Sequence, residues 1–126
     1  MQKSYKYLII WQRAQELFEM VCEDTKKWPK TIIANTIAAQ LARSMSSIST
    51  NVAEGYGRGG PKEFEQFFRY ARGSLAESDN WLYKAMREEL ISELRYSEYC
   101  SKMEEVSKMT ASFINKLRLQ FKIKTI

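Results

Sequence analysis

Residues 33–61 read IANTIAAQLARSMSSISTNVAEGYGRGGP and contain one long helix together with its end. Apolar side chains recur there at steps of three and four residues, which is the spacing of one face of an α-helix. These positions are Ile33, Ile37, Leu41, Met45, Ile48 and Val52. Four of the five glycines of the chain follow between residues 55 and 60 and predict the end of the helix. Pro61 suits the first position of a new helix, where its missing N–H would have no partner.

The same periodicity extends in both directions from this stretch. A first helix precedes it and is stopped by Trp28-Pro29, a third follows Pro61, and a fourth begins near Ser92, a candidate N-cap. Their apolar positions include Ile10, Ala14, Leu17, Val21, Phe64, Phe68, Ala71, Leu75, Leu82, Tyr99, Met103, Val106, Phe113 and Leu117. Four amphipathic helices with short connections predict an all-α fold, an antiparallel up-down-up-down four-helix bundle formed by residues 1–126 as a single domain.

The composition excludes several classes of chemistry. Histidine is absent, so there is no Ser-His-Asp triad, no Cys-His pair and no Glu-x-x-His metal site. The glycine turn lacks the preceding strand and the Gly-Lys-Ser/Thr ending of a phosphate-binding loop. We therefore expect no catalytic residues, no cofactor and no metal. The N-terminal apolar run is too short for a signal peptide, and no segment approaches a membrane span, which predicts a cytoplasmic protein without a membrane partner.

The second helix carries an unusual polar face. Ser47, Asn51 and Glu54 are spaced i, i+4 and i+7, and Arg43 lies one turn earlier. Polar groups inside a bundle must satisfy one another, because a buried unpaired polar atom costs about 1–3 kcal/mol. Two interpretations stay open: a hydrogen-bond network that sets the register of the helices, or a ligand or nucleic-acid site. In the first, Glu54 pairs across the helices with Arg43, Arg69 or Arg72.

Basic residues gather in two zones of a chain whose net charge is +5 and whose pI is about 9.2. The candidate nucleic-acid contacts are Lys26, Lys27 and Lys30 in one zone, and Arg58, Lys62, Lys116, Arg118, Lys122 and Lys124 in the other. An antiparallel bundle places the two zones at opposite ends. Such clusters suit phosphate contacts, while the alternative is a solvated surface whose cations complement helix C-termini.

Motifs along most of the chain resemble those of a known family. They are Gln40 and Arg43, Ser47-Ile48, Asn51-Val52-Ala53-Glu54-Gly55, Gly57-Arg58, Lys62-Glu63-Phe64 and Gly73-Ser74-Leu75-Ala76-Glu77. From about residue 5 to 118 the chain is similar to the small bacterial four-helix-bundle proteins called 23S rRNA intervening-sequence, or S23-like, proteins. The resemblance adds Ser74 and Glu77 to the polar network. It implies bundles that assemble into ring-shaped pentamers, with no established enzymatic activity.

The fold that this resemblance implies is also similar to the accessory protein of diversity-generating retroelements, a basic pentamer that associates with a reverse transcriptase and nucleic acid. The predicted function is therefore a non-enzymatic homo-oligomer, a pentamer by resemblance, that associates with RNA or a nucleoprotein partner through its basic zones. The alternative is a structural or protein-interaction scaffold whose charge is incidental. Exposed tyrosines could stack on bases or fill subunit interfaces, and both interpretations stay open. The tyrosines concerned are Tyr5, Tyr7, Tyr56, Tyr70, Tyr83 and Tyr96.

Overall fold

A computed structural model describes residues 4–125, with side chains up to residue 120. It contains one turn of 3₁₀ helix followed by four α-helices. The 3₁₀ turn is Tyr5–Tyr7, and the helices are α1 (Ile9–Thr25), α2 (Ile32–Arg58), α3 (Pro61–Arg87) and α4 (Glu93–Thr125). No strand is present in the described part of the chain. The prediction of an all-α fold is confirmed.

The helices pack in the predicted up-down-up-down order. Each packs against its neighbours in sequence, α1 closes the bundle against α4, and the diagonal pairs make no backbone approach within the described residues. Contacts between Ser44 and Ser78 and between Ser47 and Ser74 show that α2 and α3 run antiparallel, because one number rises as the other falls. The α1/α4 side of the bundle therefore lies opposite the α2/α3 side.

Side chains and backbone geometry set the helix ends. The Ala34 N–H donates to Thr31 Oγ1 over 3.1 Å at the start of α2. The Arg95 N–H donates to Ser92 Oγ over 3.0 Å, which confirms Ser92 as the N-cap of α4. Pro61 is the first residue of α3, as predicted. Gly59 ends α2 with a φ of +78°, in the left-handed region that favours glycine.

The glycine cluster ends α2 as predicted, but it does so at Gly59, so the helix continues to Arg58 and contains the buried Gly55. One prediction about α2 is wrong. Ile33 is not in the core but 54% exposed, and its neighbour Ala34 is buried instead. The first turn of α2 faces the bundle through a small residue, so the apolar stripe begins one position later than the spacing indicates. The remaining five positions of the predicted α2 stripe are buried.

Small residues let α2 and α3 approach closely. A side-chain carbon at Gly55 would lie 3.1 Å from Phe67 Cβ and 3.3 Å from Phe64 Cδ1. Further along, the hydroxyls of Ser44 and Ser78 meet at 2.9 Å inside the core. Within the described residues no buried side-chain nitrogen or oxygen lacks a hydrogen-bond partner. The tight contact therefore leaves no unpaired polar group behind.

This packing predicts different outcomes for two glycines of the same helix. Gly55→Val should lower the free energy of unfolding by about 1–3 kcal/mol, because the added methyl groups overpack the contact with Phe64 and Phe67. Gly57→Ala should raise it by up to about 1 kcal/mol, since nothing lies within 4 Å of its side-chain position and alanine favours the helix. Urea denaturation followed by circular dichroism measures both. Equal effects of the two substitutions would contradict the close approach at Gly55.

Candidate nucleic-acid interface

The bundle has two ends of different character. The Trp28 end contains the end of α1, the start of α2, the end of α3 and the start of α4. The glycine-turn end contains the start of α1, the turn between α2 and α3, and the last turns of α4. Lys26, Lys27 and Lys30 lie at the first, and the other predicted basic residues lie at the second.

The Trp28 end is mixed in charge rather than basic. Lys27 lines a groove of about 750 Å³ together with Glu23, Glu88 and Glu89. Glu93 follows at the start of α4. Oppositely charged groups this close largely cancel each other's field over the distance of a Debye length, about 8 Å in physiological salt. Lys27 therefore shares its surface with carboxylates, although none of Lys26, Lys27 and Lys30 forms an ion pair within residues 4–120.

A largely buried ion pair also lies at this end. Arg95 donates from Nε and from one terminal nitrogen to Asp24, over 2.9 and 3.1 Å, and the Tyr99 hydroxyl donates to the same carboxylate over 2.7 Å. The Asp24 side chain is only 11% exposed. The hydrogen bond to Asp24 raises the pKa of Arg95, and burial raises the pKa of the Tyr99 hydroxyl. Arg95 therefore links α4 to α1 through Asp24, and its charge is not available to bind a ligand.

Carboxylates neutralise only part of the glycine-turn end. Glu65 accepts hydrogen bonds from Arg69, over 3.0 Å, and from Arg118 across the α3/α4 contact. Those bonds, with Arg118 the stronger cause, hold the pKa of Glu65 below its ordinary value of 4.5. Glu63 lies directly against Gly60, so the start of α3 is occupied by its own carboxylate and is not open to a phosphate.

Three cations at the glycine-turn end are not paired with a carboxylate that the structure describes. Arg58, Lys62 and Lys116 are exposed and form no ion pair within residues 4–120. Arg58 has Glu54 one turn before it, yet its guanidinium lies over the ring of Phe67, 5.3 Å from the centroid. The side chains of Lys122 and Lys124 lie outside the described residues.

The predicted polar network forms in two parts along α2 and α3. Arg43 donates to Glu77 over 2.7 Å, and Gln40 and Trp81 join this pair. Separately, Ser47 Oγ accepts from Asn51 and from Ser74, each over 2.9 Å. The contacts cross between the helices and fix their register.

The predicted pairing of Glu54 is wrong. Its carboxylate is exposed, Arg43 pairs with Glu77, and Arg69 pairs with Glu65. Arg72 forms no ion pair in the part of the chain with described side chains. Ser47 and Asn51 are half-buried, but Glu54, further along the same face of α2, is exposed to solvent.

The described residues also bear on three other possibilities, a metal site, a membrane-spanning helix and an activated thiol. They contain no group of three or more carboxylate or thiol side chains placed to hold a metal ion. No helix among them is both long and apolar enough to cross a lipid bilayer. Burial raises the pKa of the Cys100 thiol, which is the opposite of what an activated nucleophile requires.

Comparison with known proteins agrees with the four-helix arrangement. Residues 6–112 match the family model of the 23S rRNA-intervening sequence protein. The chain belongs to this family. The family segment includes the whole α2/α3 network and the glycine turn, and it ends within α4, before Lys116 and Arg118. The resemblance stated from the sequence motifs is therefore confirmed.

A solved structure shares the fold of this 23S rRNA-intervening sequence family member. It is a protein with unknown function from the S23 ribosomal protein family of Bacteroides thetaiotaomicron VPI-5482. The two chains are 20% identical and superpose with a TM-score of 0.72 over 83% of this chain and 97% of the other. At this identity the likeness concerns the fold alone. No curated protein matches the chain.

Sequence reasoning missed two features of this family member. The tie of Asp24 to Arg95 and Tyr99 joins residues more than seventy positions apart, so no local spacing reveals it. Arg58 over Phe67 was equally hidden, although a cation at the end of one helix and an aromatic residue early in the next could have suggested the contact. Each feature depends on the register of neighbouring helices.

The Glu65 ion pairs predict a pH dependence of stability. A carboxyl group with a lowered folded-state pKa stabilises the fold above its ordinary pKa, and the contribution is lost as the pH falls through the folded-state value. Glu65→Gln should therefore lower the free energy of unfolding by up to about 1 kcal/mol at neutral pH. Its difference from the wild type should shrink as the pH falls below 4.5.

Urea denaturation at a series of pH values measures this difference. Glu104→Gln is the matched control, because it removes the same charge from an exposed pair within α4, with Lys108 at 3.2 Å. A Glu65→Gln deficit that is constant with pH would show that Glu65 does not act through its charge, and one equal to the control would show that its pairs contribute no more than the exposed pair within α4.

Proposed function

We propose that this protein is a non-enzymatic, homo-oligomeric RNA-associated bundle whose glycine-turn end contacts the RNA backbone. The observation that carries the proposal is the set of cations without carboxylate partners at that end, Arg58, Lys62 and Lys116. Phosphate contacts of this kind supply most of the affinity of sequence-independent binding to nucleic acid. The family's description names an rRNA insertion, which favours RNA over DNA as the polyanion.

The distribution of charge supports one binding end rather than two. At the Trp28 end, Lys27 lies among Glu23, Glu88 and Glu89. At the glycine-turn end, Glu65 is paired with Arg69 and Arg118, whereas Glu54 and Glu63 are exposed and form no ion pair within the described side chains. By sequence, Lys122 and Lys124 add positive charge to the last turns of α4. Cations therefore outnumber carboxylates around the glycine turn, which favours this end for phosphate contacts.

The non-enzymatic part of the proposal rests on the chemistry of the side chains present. The hydroxyls of Ser46, Ser49 and Thr50 donate to carbonyl groups of their own helix. With no histidine in the chain, none of these hydroxyls has an imidazole base to activate it. The polar content of α2 thus serves the helix itself and its packing.

Exposed apolar side chains support self-association. Ile32 is 83% exposed and Leu94 is 73% exposed, both at the Trp28 end. On the α1/α4 side, Tyr7 and Ile9 line an apolar groove of about 590 Å³ with Met109. Exposed apolar surface of this kind marks sites of association. Repetition of a weak RNA site around an oligomer multiplies its affinity through avidity.

The same apolar surface favours a second candidate, a protein-interaction scaffold with no direct contact to nucleic acid. In that case the exposed side chains bind other subunits or a protein partner, and the cations only keep the assembly soluble. RNA binding separates the two candidates.

Charge reversal at one end tests RNA association. The triple variant Arg58→Glu, Lys62→Glu, Lys116→Glu should lower the affinity for a fluorescent RNA about ten-fold or more at low salt and flatten the salt dependence. Arg118 is left unchanged, because its bond to Glu65 joins α4 to α3. The control variant Lys26→Glu, Lys27→Glu, Lys30→Glu changes the net charge equally at the other end and should bind nearly as the wild type does.

Fluorescence anisotropy at several salt concentrations measures both variants. Equal losses would mean that only net charge matters. An absence of wild-type binding at low salt would leave the scaffold as the function.

The oligomeric state is tested separately by light scattering of the purified protein. A multiple of the 14.8 kDa chain mass is expected, five-fold for a pentamer. Ile32→Asp with Leu94→Asp should reduce the mass, because charged side chains cannot be buried unpaired in an interface. A wild-type mass of one chain at micromolar concentration would contradict self-association.

A further inference from the structure

We infer that the glycine-turn end recognises unpaired bases of single-stranded RNA on a platform formed by Arg58, Phe67 and Tyr70. This inference rests on the proposed function and adds to it the class of RNA. The three residues, called here the Tyr70 platform, lie on the outer side of the α2/α3 pair. The proposed phosphate contacts, Arg58, Lys62 and Lys116, then lie at the same end of the bundle as a site for bases.

Ring contacts hold the platform in place. The Tyr70 ring meets the Phe67 ring nearly perpendicularly, with centroids 5.7 Å apart, and Arg58 lies over Phe67. Tyr70 is nevertheless 51% exposed, and its hydroxyl forms no hydrogen bond within the described side chains. An exposed aromatic ring beside an arginine is the arrangement on which bases of single strands stack.

Open space lies next to the ring. Gly73 follows Tyr70 by one helical turn on the same side of α3, and nothing lies within 4 Å of the position its side chain would take. Side chains of a helix lean toward the preceding turn, so a long side chain at this position would extend toward Tyr70. Glycine in a helix interior costs up to about 1 kcal/mol. Its presence leaves room for a flat ligand beside the ring.

The register of α2 and α3 places a polar group at the level of the ring. Ser47 contacts Ser74, and Gly55 packs on Phe67, so the register between these contacts places Asn51 opposite Tyr70. The Asn51 amide nitrogen donates to the Ser47 carbonyl over 2.7 Å and to Ser47 Oγ over 2.9 Å. These bonds fix the amide and leave Oδ1 as an acceptor for a base amino group.

The arrangement selects single strands over duplex. Bases inside an A-form helix are stacked on each other, and its major groove is too narrow for side chains to read. A stacked base therefore cannot reach Tyr70 or Asn51, whereas a splayed base of a loop or single strand can. Arg58 and Lys62 would contact the adjoining phosphates in both cases, so only the single strand gains the additional stacking.

A pair of matched tyrosines tests the inference. Wild-type protein should bind a fluorescent single-stranded RNA of twelve nucleotides about ten-fold more tightly than a duplex of the same sequence at the same salt. Tyr70→Ala should lower the single-strand affinity by a factor between about five and a hundred, while Tyr70→Phe keeps it, because the ring is retained. Gly73→Leu should also lower it by covering the ring.

Tyr83→Ala is the control. Tyr83 is 48% exposed, close to Tyr70, and has a similar ring contact with Tyr96, at 6.2 Å, but it lies at the mixed-charge end. Its removal should leave RNA affinity unchanged. Circular dichroism and light scattering on each variant verify that fold and mass are those of the wild type.

The outcomes distinguish base stacking at the Tyr70 platform from RNA association in general. If the wild type binds neither RNA, the proposed function and the platform both fail. If it binds single strand and duplex equally and Tyr70→Ala has no effect, RNA association stands and the platform is overturned. If Tyr70→Ala reduces the oligomer mass, with or without a loss of affinity, Tyr70 is a subunit contact and the platform is likewise overturned.

Discussion

Helices α2 and α3 approach so closely at Gly55 that a side-chain carbon there would press on Phe64 and Phe67. The rest of the bundle depends on this contact. Close backbones bring the hydroxyls of Ser44 and Ser78 within hydrogen-bond distance, which removes the cost of burying them. The same register joins Ser47 to Ser74 and Arg43 to Glu77. A one-residue shift would break all of these contacts together, so the polar face of α2 gives the pair a single arrangement.

The two ends of the bundle differ because the connections between helices differ. At the Trp28 end, α1 and α4 are held by Asp24, whose carboxylate is satisfied by Arg95 and Tyr99. This contact pairs the charge of Arg95, and nearby carboxylates lie beside Lys27. At the glycine-turn end, the short turn needs glycine backbone geometry rather than charged side chains. Glu65 offsets only the arginines that it touches, Arg69 and Arg118. Arg58, Lys62 and Lys116 remain at this end without an ion pair within the described side chains.

The sequence was sufficient for the helices and their order because both follow from local rules. Apolar periodicity, Pro61 at a helix start and Ser92 as an N-cap depend on neighbours within one or two turns. Gly55 was grouped with the glycines of the turn because glycine serves both turns and close helix contacts, and only the partner helix decides between them. Glu54 was assigned a partner because it shares a face with Asn51, but which arginine is in reach depends on register. The contact of Asp24 with Arg95 has no spacing signal, because it joins side chains of different helices, and the contact of Arg58 with Phe67 depends on the register of α2 and α3.

The proposed assembly and the proposed RNA contact place different demands on the surface, and the order of the helices separates them in part. The apolar groove around Tyr7 and Ile9 belongs to the α1/α4 side, although Lys116 also lines it. The Tyr70 platform belongs to the α2/α3 side, which lies opposite in a bundle where diagonal helices do not touch within the described residues. A subunit that associates through α1 and α4 would leave Tyr70 facing outward. Each added copy would then contribute one more platform, and weak stacking at a single site would become firm attachment through the number of sites.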